Sequence, residues 1–347
     1  MTWLAFCVLF VATGCATQGS RFMRYETAAG EAPVWPPAPE VARYRYVGQL
    51  TGEGNFTSNR SANAGRRALA WLVGLAAGKH SPVVLQRPQT GYTDTTGRVY
   101  VTDVSRAAVY VFDEAAGRLD VWEMAGQNQR FQTPLGITVV EDGRVLVADG
   151  DLARVILLDD QGRPVGSFGE GVLQRPVGLA YDPAASRVFV ADRQAHDVKV
   201  FDMQGRLLET WGRLGVGPGE FNAPTYLTFA HGRLYVTDTL NSRVQVLDAS
   251  GRFLRSIGRR GLYVGDMPRP KGVAVDRDRN LYVVESYYDY LLVFNEKGEF
   301  LLPIGGTGSG IGEFYLPAGV WTDHRNWIYV ADAFNGRIVV FEYLGET

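Results

Sequence analysis

Apolar positions in this chain fall in short runs of five or six residues that recur from about Gln86 to Glu342. One set reads "RVYVTD" (98–103), "RVLVAD" (144–149), "RVFVAD" (187–192), "RLYVTD" (233–238), "NLYVVE" (280–285) and "WIYVAD" (327–332). These are β-branched and aromatic stretches that follow turn-forming residues, which predicts strands. Their closing acids, Asp103, Asp149, Asp192, Asp238, Glu285 and Asp332, lie 46, 43, 46, 47 and 47 residues apart. Ten residues after each stands Asp113, Asp159, Asp202, Asp248, Asn295 or Glu342, at the end of a further apolar run. A proline opens each unit (Pro88, Pro134, Pro176, Pro224, Pro270, Pro317), and Gly-containing hairpins lead to fourth runs such as "LLETWG" and "FLRSIG". A period in the forties with up to four short strands per unit predicts an all-β ring of six blades, a β-propeller, and not a solenoid. Nearly continuous apolar strands suit sheets covered on both faces, as stacked blades are.

The sixth unit ends after its third run, while "RYRYVGQL" (43–50) precedes the first unit and resembles the missing strand, with Val47-Gly48 set against Ile257-Gly258. Its continuation, "GQLTGEGNF" (48–56), echoes "GRLGVGPGEF" (212–221). The expectation is that residues 43–50 complete the last blade and close the ring within a propeller domain of residues 41–347, leaving no long exposed edge. The propeller is expected to be monomeric. Residues 59–82 interrupt the pattern with good helix formers from Ala62 to Ala77, ended by Gly78. Leu69, Leu72, Val73 and Ala76 fall on one face of that helical insertion, which reads as a cap over the channel. Arg66, Arg67 and Trp71 offer the alternatives of a partner-docking or membrane-contacting helix.

The repeating "P-x-G-[IV]-A-V-D … G-x-[LV]-Y-V-[AT]-D-x-x-N-x-R-[IV]-x-V-F" pattern resembles the NHL repeat. The match is best at 223–248 and 316–342, and it extends over roughly 86–347. The resemblance implies a six-bladed propeller and leaves the activity open, because NHL proteins include enzymes, sensor ectodomains and binding modules.

The amino-terminal residues bear on location. Trp3 to Ala12 is an apolar run too short to span a bilayer and suited to a signal peptide. It ends in "VATGC", which resembles the bacterial lipobox and makes Cys15 the expected lipidation site, although no Lys or Arg precedes the run. Cys7 and Cys15 are the only cysteines, so the mature protein would have no internal disulfide. Residues 1–15 are accordingly read as a lipoprotein signal, and 16–40, ending in "PVWPPAPE", as a Pro-rich tether. Ala16 after the cysteine favours, by the same resemblance, the outer membrane facing the periplasm. A net charge of −2 argues against a nucleic-acid partner.

Catalytic chemistry is sparse. The four histidines, His80, His196, His231 and His324, do not converge on a metal-ligand pattern, a departure from the zinc-binding lyases among NHL propellers. "GEAPVW" (30–35) superficially resembles the opening of calcium-dependent lactonases. The slots after the inner prolines, Leu135-Gly136, Val177-Gly178, Thr225-Tyr226, Lys271-Gly272 and Ala318-Gly319, supply no oxygen cage. "GGTGSGIGEF" (305–314) leads to Pro317 and not into a helix, so it is no phosphate loop. The six repeated acids serve each blade, accepting N–H groups of the following turn, with Arg154, Arg243 and Arg337 as expected ion-pair partners. No metal and no cofactor is implied.

Departures from the repeat carry the functional expectation. Tyr226 replaces an inner-strand glycine, Lys271 begins the inner strand of blade five, and "SYYDY" (286–290) stands where other blades carry "TLNSR" or "AFNGR". Aromatic and arginine enrichment marks recognition surfaces. The expected ligand-binding set is Tyr226, Lys271, Tyr287 and Tyr288, with Arg193 and His196 from blade three. The expected role is a non-catalytic binding or scaffold module for an envelope protein or a small anionic or carbohydrate ligand. The alternative is a metal-dependent lyase or lactonase relative.

Overall fold

The computed structural model describes residues 21–27, 29–58 and 81–345. The expected signal segment with Cys15, and residues 59–80 of the expected helical insertion, lie outside the described residues. Blade one comprises Pro88–Thr93, Val99–Asp103, Ala108–Asp113 and Arg118–Trp122, antiparallel and in chain order from the axis outward. Blades two to five repeat this arrangement, and the inner strands of successive blades adjoin until that of blade six, Val320–Thr322, meets that of blade one. The second and third strands are buried on both faces, and the hydrophobic clusters lie between blades. Tyr282, Val284 and Leu291 of blade five, for example, pack on Ile328, Val330 and Phe341 of blade six. Each such side chain withdrawn from water contributes about 1.5–3 kcal/mol.

Blade six closes as expected: Tyr44–Leu50 pairs antiparallel with Arg337–Tyr343. The alignment differs from the sequence reading, because Ile338 pairs with Leu50 as Val244 pairs with Ile257, so Leu50 and not Val47 is the counterpart of Ile257. Burial decides this register: Leu50 is fully buried, whereas Val47 is only partly so.

The expected tether is corrected over its described part. Arg21–Met23 pairs with Phe56–Ser58, Glu26 exchanges backbone hydrogen bonds with Gln49 at 3.0 Å each way, and Val34–Trp35 adds a fifth strand to blade six. Met23 is buried beside Leu50 and Phe56, and the Trp35 ring meets Phe341 edge-on at 5.3 Å. Isolated anchors in a polar stretch leave no periodic signature, so composition alone reads such a segment as free.

The repeated acids are brackets. Asp103 accepts N–H bonds from Gln86 and Arg87 (2.7 and 2.8 Å) and from Ser105 and Arg106 (3.0 Å each), tying the chain entering the blade to the loop leaving its second strand. Arg243 and Arg337 pair with Asp238 and Asp332 at 2.8 Å as expected. Arg154 does not pair with Asp149: its guanidinium turns to Gln129 and Glu170.

Candidate functional site

Pairing of each inner-strand proline with the acid ending the second strand (Pro224 with Asp238, Pro270 with Glu285) gathers two kinds of loop at one end of the ring. These are the connections between second and third strands and the connections between blades. This end is the proline face; the turns between first and second strands lie at the opposite, turn face.

Lys271, the second residue of the inner strand Pro270–Val275, is half-buried on the proline face. Burial, followed by the positive charges of Arg269, Arg87 and Arg193, pulls its ammonium down to about 8. Guanidiniums from blades one, three and five thus bear electrostatically on one amine. Among the described residues, no carboxylate lies within ion-pairing distance of Arg87, Arg193, Arg269 or Lys271. Asp289, a nearby acid that favours the charged amine, also accepts from the Thr307 hydroxyl and the Leu316 N–H, both at 2.8 Å. The site is a cationic cluster at the mouth of the channel, offset only in part by the nearby Asp289 carboxylate.

An arc of exposed apolar side chains borders it on blades four to six. Leu262 and Tyr263 are 80% and 78% exposed, Val216 75% and Tyr287 62%, all on connections at the proline face. Tyr287 and Tyr288 meet edge-to-face at 4.8 Å, their backbone N–H groups held by the Glu285 carboxylate at 3.1 and 2.9 Å. Tyr315 packs against Phe334, and the Arg87 guanidinium lies over the Phe334 ring at 4.9 Å.

The sequence-derived residues separate into two groups. Lys271 and Arg193 come together, and Tyr287 and Tyr288 share their face. Tyr226 is not exposed at the mouth: it is buried inside the channel, its hydroxyl 3.3 Å from the Gln89 carbonyl oxygen. His196 serves the fold, its Nδ1 accepting the Ala223 N–H at 3.0 Å. Arg87 was missed. Its signal was an arginine directly before the inner proline in alternate blades, at Arg87, Arg175 and Arg269. Arg175 differs by pairing with Asp151 at 2.7 Å.

Beyond Tyr226 the channel widens into a cavity of about 630 Å³ that opens at the turn face. Glycines at one slot of the inner strands let neighbouring backbones close in around Tyr226. A Cβ on Gly136 would lie 2.6 Å from the Val177 oxygen, and one on Gly178 2.5 Å from the Thr225 oxygen. Among the described residues, no three His, Cys, Asp or Glu side chains are grouped so as to hold a metal ion.

Comparison with known proteins agrees with this architecture. A family model, DUF5128, described as a 6-bladed beta-propeller, matches residues 270–346. The structure is similar to an auxiliary nutrient binding protein from Bacteroides thetaiotaomicron VPI-5482, with a TM-score of 0.60 at 12% identity over 75% of this chain and 70% of that one. A second auxiliary nutrient binding protein, from Bacteroides ovatus ATCC 8483, gives a TM-score of 0.58 at 12% identity over 74% and 69%. Virginiamycin B lyase from Staphylococcus aureus gives 0.55 at 14% identity over 75% and 96%. Identities this low speak for the fold alone, and the fold is a six-bladed β-propeller.

Proposed function

We propose that the protein is a non-catalytic binding propeller whose proline face receives an acidic segment of a partner protein. The observation that carries this reading is the half-buried Lys271 among Arg87, Arg193 and Arg269 with no carboxylate paired to any of them. Like charges so gathered destabilise the free protein and are relieved by a ligand anion. The bordering arc of exposed tyrosines and aliphatic side chains supplies the apolar contact that a macromolecular partner needs and a bare inorganic anion does not. The two auxiliary nutrient binding proteins among the structural neighbours accord with a binding role. The lyase or lactonase alternative rests on shared fold.

Crosslinking capture with the wild type and with Lys271→Glu tests the reading. A partner retained by the wild type and lost by the folded variant supports it; an identical captured set overturns it. Saturable binding of inorganic phosphate that no acidic peptide displaces would make the ligand a small anion instead.

The reading includes attachment to the bacterial envelope through a lipid on Cys15, supported by the "VATGC" sequence after an apolar run. Labelled palmitate is expected to enter the wild type and not Cys15→Ser. Labelling that persists in the variant removes the anchor from the proposal.

A further inference from the structure

The cavity behind Tyr226 has a chemistry opposite to that of the proline face. Its volume, about 630 Å³, lies within the range of small-molecule sites. Leu179, Leu227, Val273 and Trp321 line its interior, and the Trp321 indole is fixed by a 3.0 Å hydrogen bond to the Thr93 hydroxyl. Hydroxyls also line the walls, and among the described residues those of Tyr92, Thr138, Tyr181 and Thr228 have no hydrogen-bond partner. At the mouth stand two carboxylates, Asp94 and Glu141, neither within ion-pairing distance of a cation among the described residues. No Lys, Arg or His among the described residues lines the cavity.

Asp94 is the turn acid of blade one, accepting the Thr96 and Arg98 N–H groups at 2.9 and 3.0 Å and the Tyr100 hydroxyl at 3.2 Å. Glu141 and the unpartnered hydroxyls do not follow from the needs of the blade. The turn acids Asp276 and Asp323 are buried and saturated by turn N–H groups and tyrosine hydroxyls. Glu141, by contrast, is exposed and makes no hydrogen bond with its side chain among the described residues. A ligand suited to the site has an apolar or aromatic body, which replaces water along the inner strands, and an ammonium group at the rim. There Asp94 and Glu141 supply negative charge and the Tyr92 ring a π face. We propose that the turn-face cavity is a second binding site, separate from the cationic mouth, for a small organic amine or quaternary ammonium with an apolar body. Tyr226 stands between the two sites.

Calorimetric titration of the full chain tests this with benzyltrimethylammonium as probe, neutral benzyl alcohol and anionic phenylacetate as controls. The cation is expected to bind saturably and more tightly than either control. Glu141→Lys, a surface change that leaves the core untouched, is expected to weaken it by about three- to tenfold. Thr228→Trp, which fills the interior, is expected to abolish binding, whereas Lys271→Met leaves it unchanged. Failure of the cation to bind, phenylacetate binding as tightly as the cation, or unchanged affinity in Glu141→Lys overturns the proposal. Loss of cation binding in Lys271→Met also overturns it, placing the amine at the other face.

Discussion

The Tyr226 hydroxyl lies 3.3 Å from the Gln89 carbonyl oxygen, a contact between blade four and blade one on opposite sides of a six-membered ring. One side chain therefore spans the channel where the other blades carry small residues, and burial pushes its phenol well above the ordinary tyrosine range. Tyr226→Phe is expected to cost about 0.5–1.5 kcal/mol, the worth of one net hydrogen bond. Tyr226→Gly is expected to cost about 3–5 kcal/mol, because a large aromatic is lost from the septum. Urea denaturation of the three proteins checks the order, and equal losses for Phe and Gly would show that packing plays no part.

Lys271 predicts a pH dependence of defined sign. Its folded value of about 8 lies below the unfolded value of about 10.4, so between the two the unfolded chain binds more protons and stability rises with pH. Below about pH 8 the full cost of the buried charge is present. Lys271→Met is therefore expected to stabilise the protein at pH 7 by about 1–3 kcal/mol, with the advantage shrinking toward pH 10. Denaturation of both proteins at the two pH values isolates this residue from other titrating groups. Affinity for an acidic peptide is expected to fall as pH rises through about 8.

Deleting residues 21–40 is expected to destabilise the propeller, since Met23 and Trp35 pack on it and Val34–Trp35 extends blade six. Deleting 21–50 is expected to cost considerably more, because Arg337–Tyr343 then loses its outer partner. Trp35→Ala alone should cost about 2–4 kcal/mol. Equal melting temperatures for the two truncations would refute closure by Tyr44–Leu50.

Asp332 accepts from the Tyr315 N–H, the Asn335 amide and the Arg337 guanidinium, each at 2.8 Å, while fully buried. Asp332→Ala strands all three donors, and the Arg337 charge with them, at an expected cost of about 3–5 kcal/mol. Glu141→Gln, an exposed acid on the turn face, is expected to stay within about 0.5 kcal/mol of the wild type. A milder effect at Asp332 than at Glu141 would contradict the bracket role of the repeated acids.

The ring was legible because its landmarks are local: a proline, a short apolar strand and a bracket acid recur in every unit. Lys271 was legible as a break in that regularity, and Arg193 as an arginine of a blade-three loop on the same face. The 630 Å³ cavity was not, because its walls are inner-strand residues such as Leu179 and Val273 that read as ordinary core. Whether six such strands meet or stand apart depends on blade number and tilt, which no single unit records. The packing of residues 21–40 was hidden for the opposite reason, since two anchors among polar neighbours form no pattern. Arg154 shows a further limit, for its position matches Arg243 and Arg337 yet a nearby glutamine and glutamate take its side chain.

The hydrogen bond from Arg337 to Gln49, at 3.0 Å, joins residues 288 positions apart. During synthesis Tyr44–Leu50 emerges well before Arg337–Tyr343, the strand it pairs with. At typical elongation rates the first strand waits roughly 15–60 s for a mate. Throughout that interval every partial product is an open arc with bare edges at both ends. Bare strand edges are templates for pairing with another chain, so a chain cut anywhere before Arg337 is expected to aggregate more readily than the closed ring.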